Sequence, residues 1–268
     1  MTDGTMNHNA ATDLVLHQFR ASHYNEKVRW ALDFKGLAAK RVSHLPGLHM
    51  FALKRLSGQT ATPVLRAGAK VITGSAAIIE HLEREFRYPP LYPGNATDRS
   101  RALEIQRSWD VGVGRATRTL VYSRLLNQPE FLVALFADSE PALKRGLYRA
   151  AMTLLCNVIV KANGGTDANK VAAAHTTIAH SLDWLAANIN ACGQLITESF
   201  TVADLSCAAL LTPLVSVTHP AMATPSAAPQ SVVELRAQYQ DHPAIQWVQE
   251  QYTKHRGNTA QGPARQRA

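Results

Sequence analysis

Cysteine is scarce in this 268-residue chain: Cys156, Cys192 and Cys207 stand far apart, and no CxxC pair occurs. That spacing excludes a disulfide framework and a thiolate zinc site, and it suits a reducing compartment such as the cytoplasm. No run of about 18 apolar residues exists, so no membrane-spanning helix is expected. The first residues, MTDGTMNHNAATD, are polar and lack the apolar centre of a secretory signal. None of the eleven histidines falls in an HExxH or comparable spacing, and no metal site is expected, although His17, His23, His44 and His49 gather in the first part. Gly112-Val113-Gly114 and Gly164-Gly165 lack a preceding strand, which excludes a phosphate loop; they read as a small-residue helix contact and a helix-ending loop. The formal charge is +8, but no aromatic–basic interleaving accompanies it and no nucleic-acid partner is expected. The basic residues are scattered, with Lys254, Arg256, Arg265 and Arg267 near the end. They read as a solvated surface whose field favours an anionic ligand.

Hydrophobic residues make up 46% of the sequence, enough for a sizeable core in two domains. Residues 1–11 read as a disordered leader. Asp13 to Phe19 is a short apolar run and a buried strand. Tyr24, Val28, Ala31, Leu32 and Phe34 then recur at near-helical spacing, and Gly36 is a natural helix stop. Ala39 to His44 is a second strand, and a loop or short helix runs through Met50 to Leu56. Pro63–Leu65 and Lys70–Ile72 form a hairpin turning at Ala67-Gly68-Ala69. Ser75 opens a helix with Ile78, Leu82 and Phe86 on one stripe. The segment from Tyr88 to Gly94 holds three prolines and is the clearest boundary. Beyond it the pattern is helical, with candidates at Thr97–Asn127, Ser139–Ala162, Asp167–Ile189 and Thr201–Val217, and short ones after Ser231 and Pro243. His219 to Gln230 is a loop, and residues 257–268 are a flexible tail.

Three features carry chemistry. Ser22 stands at a strand-to-helix turn, where free backbone N–H groups and the helix dipole favour an anion and lower a bound thiol's pKa. Its hydroxyl is placed either to donate to such a sulfur or simply to cap the helix. Thr62-Pro63 opens a strand; the proline is either an ordinary turn residue or one whose cis bond presents the Thr62 backbone to a peptide-like ligand. Gly74-Ser75 opens another helix, again either an anion site or a cap.

In this order, the three features resemble the glutathione transferase family. Ser-x-Tyr-x-x-Lys-Val-Arg from Ser22 to Arg29 is similar to its active-site turn, and Thr62-Pro63-Val64-Leu65 to its cis-proline motif. Gly74-Ser75 with Ile78, Ile79 and Leu82 resembles its glutathione-carboxylate helix. Phe200-Thr201-Val202-Ala203-Asp204-Leu205 resembles the motif of its helical domain, and by itself it reads as a Thr-x-x-Asp capping box. The resemblance implies an α+β chain: a thioredoxin-like domain at 12–93 (a four-stranded mixed sheet with helices), then an all-α helical-bundle domain at 94–256. It implies glutathione as co-substrate and a homodimer. It also implies that Ser22 donates a hydrogen bond to the glutathione thiolate and that Thr62 pairs its backbone with the cysteinyl part beside Pro63. Ser75 and the Gly74 backbone would take the γ-glutamyl carboxylate. Arg20 and Tyr24 line the site, and His49 and Lys54 fall where the glycyl carboxylate is often held. Gly74 departs from the family's usual Glu, Asp or Gln, and the absence of cysteine at Ser22 and Asn25 disfavours disulfide exchange.

These features support an enzyme that drives the glutathione thiolate onto a small electrophile or a peroxide, in a cytoplasmic, detoxifying role. The alternative is a non-catalytic binding or scaffold protein on the same fold. Trp109, Arg115, Arg118 and Tyr122 on the first long helix either line the electrophile pocket or pack the domain.

Overall fold

A computed structural model describes residues 13–217, 219–222 and 228–257. The expected leader, most of the tail and the centre of the 219–230 loop lie outside the described residues.

The first part forms around four short strands: β1 (Leu14–Gln18), β2 (Lys40–Ser43), β3 (Val64–Ala67) and β4 (Lys70–Thr73). Their order in the sheet is β2-β1-β3-β4, parallel between β1 and β2 and antiparallel elsewhere. Leu14 and Leu16 point into the core, and Leu16 pairs with the buried Leu65. Three helices accompany the sheet: α1 (His23–Phe34), α2 (His49–Ser57) and α3 (Ser75–Glu85). Gly36 and Gly58 end α1 and α2 in left-handed conformations that glycine adopts without strain.

The Pro-rich segment joins the two parts, and it is fastened rather than loose. Lys35 Nζ donates to the carbonyls of Phe86 and Pro89, 2.8 Å each, and pairs with Glu83, whose carboxylate accepts from the Leu91 N–H at 2.8 Å. Both Thr62–Pro63 and Tyr88–Pro89 are cis.

The second part is helical: α4 (Ala96–Val111), α5 (Val113–Ser123), α6 (Pro129–Ala137), α7 (Ala142–Ala162), α8 (Ala168–Asn188), α9 (Val202–Leu211), α10 (Gln230–Ala237) and α11 (Pro243–His255). The sequence reading needs two corrections here. The expected helix from Thr97 to Asn127 is broken in two at Gly112, whose backbone (φ −86°, ψ −81°) leaves the helical region. Helix α6 escapes the reading because its nine residues are nearly all apolar and show no period. Helix α9 is wholly buried, and its capping box forms as expected: Asp204 Oδ2 accepts from the Thr201 N–H and hydroxyl at 2.8 and 2.7 Å. No described helix is long and apolar enough to cross a membrane.

The larger apolar cluster runs from the sheet through α1, α3, α4, α5, α8, α9 and α11. A second cluster gathers α6, α7 and Leu45. The two parts are therefore fused rather than tethered.

Candidate functional site

The β1–α1 turn is shaped from beneath by Arg29. Its buried guanidinium donates to Gln18 Oε1 at 2.9 Å, and to the carbonyls of Phe19 and Ser22 at 3.4 and 3.5 Å. Its Nε donates to Glu26 at 2.7 Å, and Glu26 in turn accepts from Arg256 at 2.7 Å. A carboxylate this deeply buried stays ionised because two guanidiniums face it, and its pKa lies below the usual range.

Ser22 is the N-cap of α1, with its Oγ accepting from the Asn25 N–H at 3.4 Å. Capping uses the hydroxyl only as an acceptor, so its proton remains available to donate outward. The two readings of Ser22 are thus compatible. Asn25 is fully buried and donates its amide to Thr62 Oγ1 at 3.0 Å, which ties the first motif to the second. Its Oδ1 is buried without a partner among the described residues. The Gly74 N–H donates to the Pro63 carbonyl at 3.0 Å and ties the second motif to the third.

Gly74 caps α3 at φ 87°, ψ 142°, a conformation that strains any residue with a Cβ. Position 74 therefore carries no side-chain partner. Ser75 follows, buried, as the first residue of α3, where backbone N–H groups lack intrahelical acceptors.

Tyr24, Thr62, Pro63, Thr73, Gly74 and Ser75 line one cavity of about 380 Å³, together with Asp110 from α4. The Tyr24 hydroxyl donates to the Asp110 carbonyl at 2.5 Å, and burial pushes its pKa up to about 12. It stays protonated and turned toward α4. Lys27, fully buried, pairs with Asp110 Oδ1 at 2.5 Å.

A second, more enclosed cavity of about 210 Å³ opens on the other flank of the turn. Arg20, Ala21 and His23 meet Val121, Phe131, Leu135, Val217, Met222 and Arg236 there. His23 Nε2 donates to the Gly114 carbonyl at 2.9 Å, which sets the ring's tautomer, and burial pushes its pKa down to about 4.

The anticipated residues therefore divide. Tyr24, Thr62, Pro63, Gly74 and Ser75 line the first cavity, Arg20 faces the second, and Ser22 lines neither but is tied to Thr62 through Asn25. His49 opens α2 and packs edge-on against Phe19, ring centroids 4.6 Å apart; it lines neither cavity. Lys54 is exposed on α2. Trp109 packs against Trp184, ring centroids 6.2 Å apart, in a cleft that shares no lining residue with the other two cavities. Arg115 and Arg118 bring positive charge toward Tyr24, and Tyr122 is packed in the second cluster. Asp110, Phe131, Met222 and Arg236 were not anticipated, since nothing in their local sequence marks them. No group of described residues has the makings of a metal site.

Residues 16–90 match the family model described as "Glutathione S-transferase, N-terminal domain". Over 95 residues the chain is 36% identical to a maleylpyruvate isomerase of a Ralstonia species, covering 34% of this chain and 45% of that protein. The match thus spans less than half of that relative's length. Among solved structures, human glutathione-S-transferase T1-1 superposes with a TM-score of 0.61 at 16% identity, covering 91% of this chain and 84% of that one. A Methylobacillus flagellatus glutathione S-transferase with GSH bound gives 0.58 at 16% identity, covering 90% and 95%. A Rhodospirillum rubrum F11 glutathione S-transferase gives 0.57 at 21% identity, covering 88% and 91%. The chain thus carries a glutathione S-transferase N-terminal domain at residues 16–90 and, across both of its parts, the glutathione S-transferase fold.

Proposed function

We propose that this protein is a glutathione transferase that ionises the glutathione thiol at Ser22 and directs it onto a small electrophile. The observation that carries the proposal is the linkage of three motifs distant in sequence: Asn25 bonds both Ser22 and Thr62, Gly74 bonds Pro63, and Tyr24, Thr62, Pro63, Gly74 and Ser75 line one cavity. The tripeptide would pair with the Thr62 main chain, which makes no hydrogen bond among the described residues. Its γ-glutamyl carboxylate would meet the first N–H groups of α3 and Ser75, and its sulfur would face Ser22. Asp110 lines the same cavity and offers the carboxylate that Gly74 lacks. The bound GSH of the Methylobacillus flagellatus neighbour supports the same reading.

The chemistry follows from the turn. The Ser22 proton and the free N–H groups of α1 stabilise a thiolate, so the thiol releases its proton near neutral pH. The sulfur lone pair then forms the S–C bond and the displaced electron pair leaves with the leaving group, or passes into a conjugated acceptor. The neighbouring cavity would hold the electrophile on apolar walls, with Arg20 and Arg236 as the cationic groups. That lining favours a small acidic electrophile, in keeping with the maleylpyruvate named for the partial relative. The reading includes a domain at 12–93 for glutathione, a helical one at 94–256 for the electrophile, a cytoplasmic site of action and a homodimer.

Ser22→Ala is expected to lower turnover about 100-fold while leaving glutathione affinity nearly unchanged, the pattern of a lost hydrogen bond to developing charge. Unchanged turnover would remove Ser22 from the mechanism. Gly74 favours a second reading, a non-catalytic scaffold on this fold. Calorimetry decides between the two: no heat of binding at millimolar glutathione selects the scaffold.

A further inference from the structure

His23 is the first residue of α1, next to the Ser22 cap, and its buried ring lines the second cavity. A carbonyl oxygen can only accept, so the 2.9 Å bond to Gly114 fixes a proton on Nε2. Burial above all, with the charges of Arg118 and Lys27, keeps the ring neutral. The positive end of α1 acts in the same sense. A neutral imidazole carries one ring proton, so Nδ1 presents a bare lone pair. That atom has no hydrogen-bond partner among the described residues, yet its neighbours do not seal it off. An acceptor in so enclosed a place costs free energy until a donor reaches it.

The rest of the lining narrows what that donor is. No carboxylate lines this cavity, and its cations are unspent. Arg236 Nε donates to the Pro213 carbonyl at 3.0 Å, while its two Nη groups have no acceptor among the described residues. Arg20 has neither an ion-pair partner nor a side-chain hydrogen bond among them. Two free guanidiniums favour an anionic occupant and repel an ammonium. The donor that meets Nδ1 is therefore a neutral group on an acid, and a hydroxyl is the smallest such group. Val121, Phe131 and Leu135 supply apolar wall for the carbon frame between them.

We infer that His23 is a specificity-determining residue of the second cavity: its Nδ1 accepts from a hydroxyl of the bound acid, so the cavity selects hydroxy acids over their methyl counterparts. The inference rests on the reading of this cavity as the electrophile's place.

The test is calorimetry on the full chain with 3-hydroxybenzoate and 3-methylbenzoate, unreactive acids of nearly equal size. The hydroxy acid is expected to bind about tenfold more tightly, the preference of a site that leaves an acceptor unpaired when the hydroxyl is missing. His23→Gln keeps an N–H within reach of the Gly114 carbonyl but has no acceptor at the Nδ1 position. It is expected to shrink the preference to less than about twofold with 3-methylbenzoate affinity unchanged. Nitrogen-15 NMR of the wild-type chain labelled in histidine gives a reading that needs no variant. The unprotonated Nδ1 resonance of His23 is expected to shift with 3-hydroxybenzoate and to stay in place with 3-methylbenzoate. Equal binding of the two acids, binding of neither, a preference that survives in His23→Gln, or an unmoved Nδ1 resonance would each overturn the inference. Glutathione titrated separately tells this failure from that of the transferase reading. Heat with glutathione but no preference between the acids removes His23 alone, whereas the preference without glutathione binding removes the transferase and leaves the hydroxy-acid site.

Discussion

His23 makes a polar contact in a place that has no room for a second proton's hydration. Its ring is buried between Tyr24 and the Gly114 carbonyl, with Arg118 and Lys27 adding positive charge nearby. The folded pKa of about 4 lies below the ordinary 6.5, so between those values the unfolded chain binds a proton that the native state refuses. The stabilisation is complete above pH 6.5 and is lost as the pH falls toward 4, at up to about 1.4 kcal/mol per pH unit. Urea unfolding at pH 7.5 and pH 5 is expected to show this loss, and His23→Gln is expected to reduce it. An equally steep loss in that variant would assign the effect elsewhere, with half-buried His17, also near 4, the next group to examine. At this scale the sequence reveals residues at the ends of elements. Ser22, Thr62 and Ser75 are legible because caps and strand starts have a residue chemistry of their own. Asp110 and Arg236 are not, because their place in the site comes from tertiary contact with distant segments.

The elements show the same division. The hairpin and α3 are bounded by glycine or proline, and they and the other strands follow their expected positions within a few residues. The break between α4 and α5 falls at Gly112, whose flanking pattern continues as helix. What the sequence hides is the reason for the break, which lies in α1. Tyr24 and His23 reach across to carbonyls of Asp110 and Gly114, and Gly114 receives the Tyr24 ring so closely that a Cβ would sit 2.6 Å from its Cζ and 3.1 Å from Leu210 Cδ2. Gly114→Ala is expected to lower stability by about 1–3 kcal/mol through overpacking. A thermal melt of the variant within a degree of wild type would show that the ring has room to move.

At the scale of the whole molecule, α11 returns to the first part and fastens it. Arg256 donates to Glu26 at 2.7 Å and to Asp33 at 2.8 Å, Tyr252 donates to Glu26 at 3.2 Å, and the Trp30 indole donates to the His255 carbonyl at 3.1 Å. Arg41 closes the set by donating to Asp33 at 2.7 Å. Glu26 and Asp33 lie on α1, so the helix that heads the site is held by residues more than 200 positions away. Arg256→Ala leaves Glu26 with one guanidinium in place of two and is expected to cost about 3–5 kcal/mol, the usual penalty for stripping a partner from a buried charge. A denaturant midpoint equal to that of wild type would show that Arg29 alone suffices.

Apart from the Lys27–Asp110 ion pair, the crossing between α1 and the α4–α5 bend is recognised through carbonyl oxygens, which every residue type possesses. The specificity of that joint is therefore written almost entirely on α1, in His23 and Tyr24. Asp110 aside, whose carboxylate holds the buried Lys27, side chains around the bend are free to drift through evolution so long as the backbone keeps its path and Gly114 stays small. Relatives of this chain should accordingly show a strict partner facing a permissive one across the seam, and paired substitutions there should be rare.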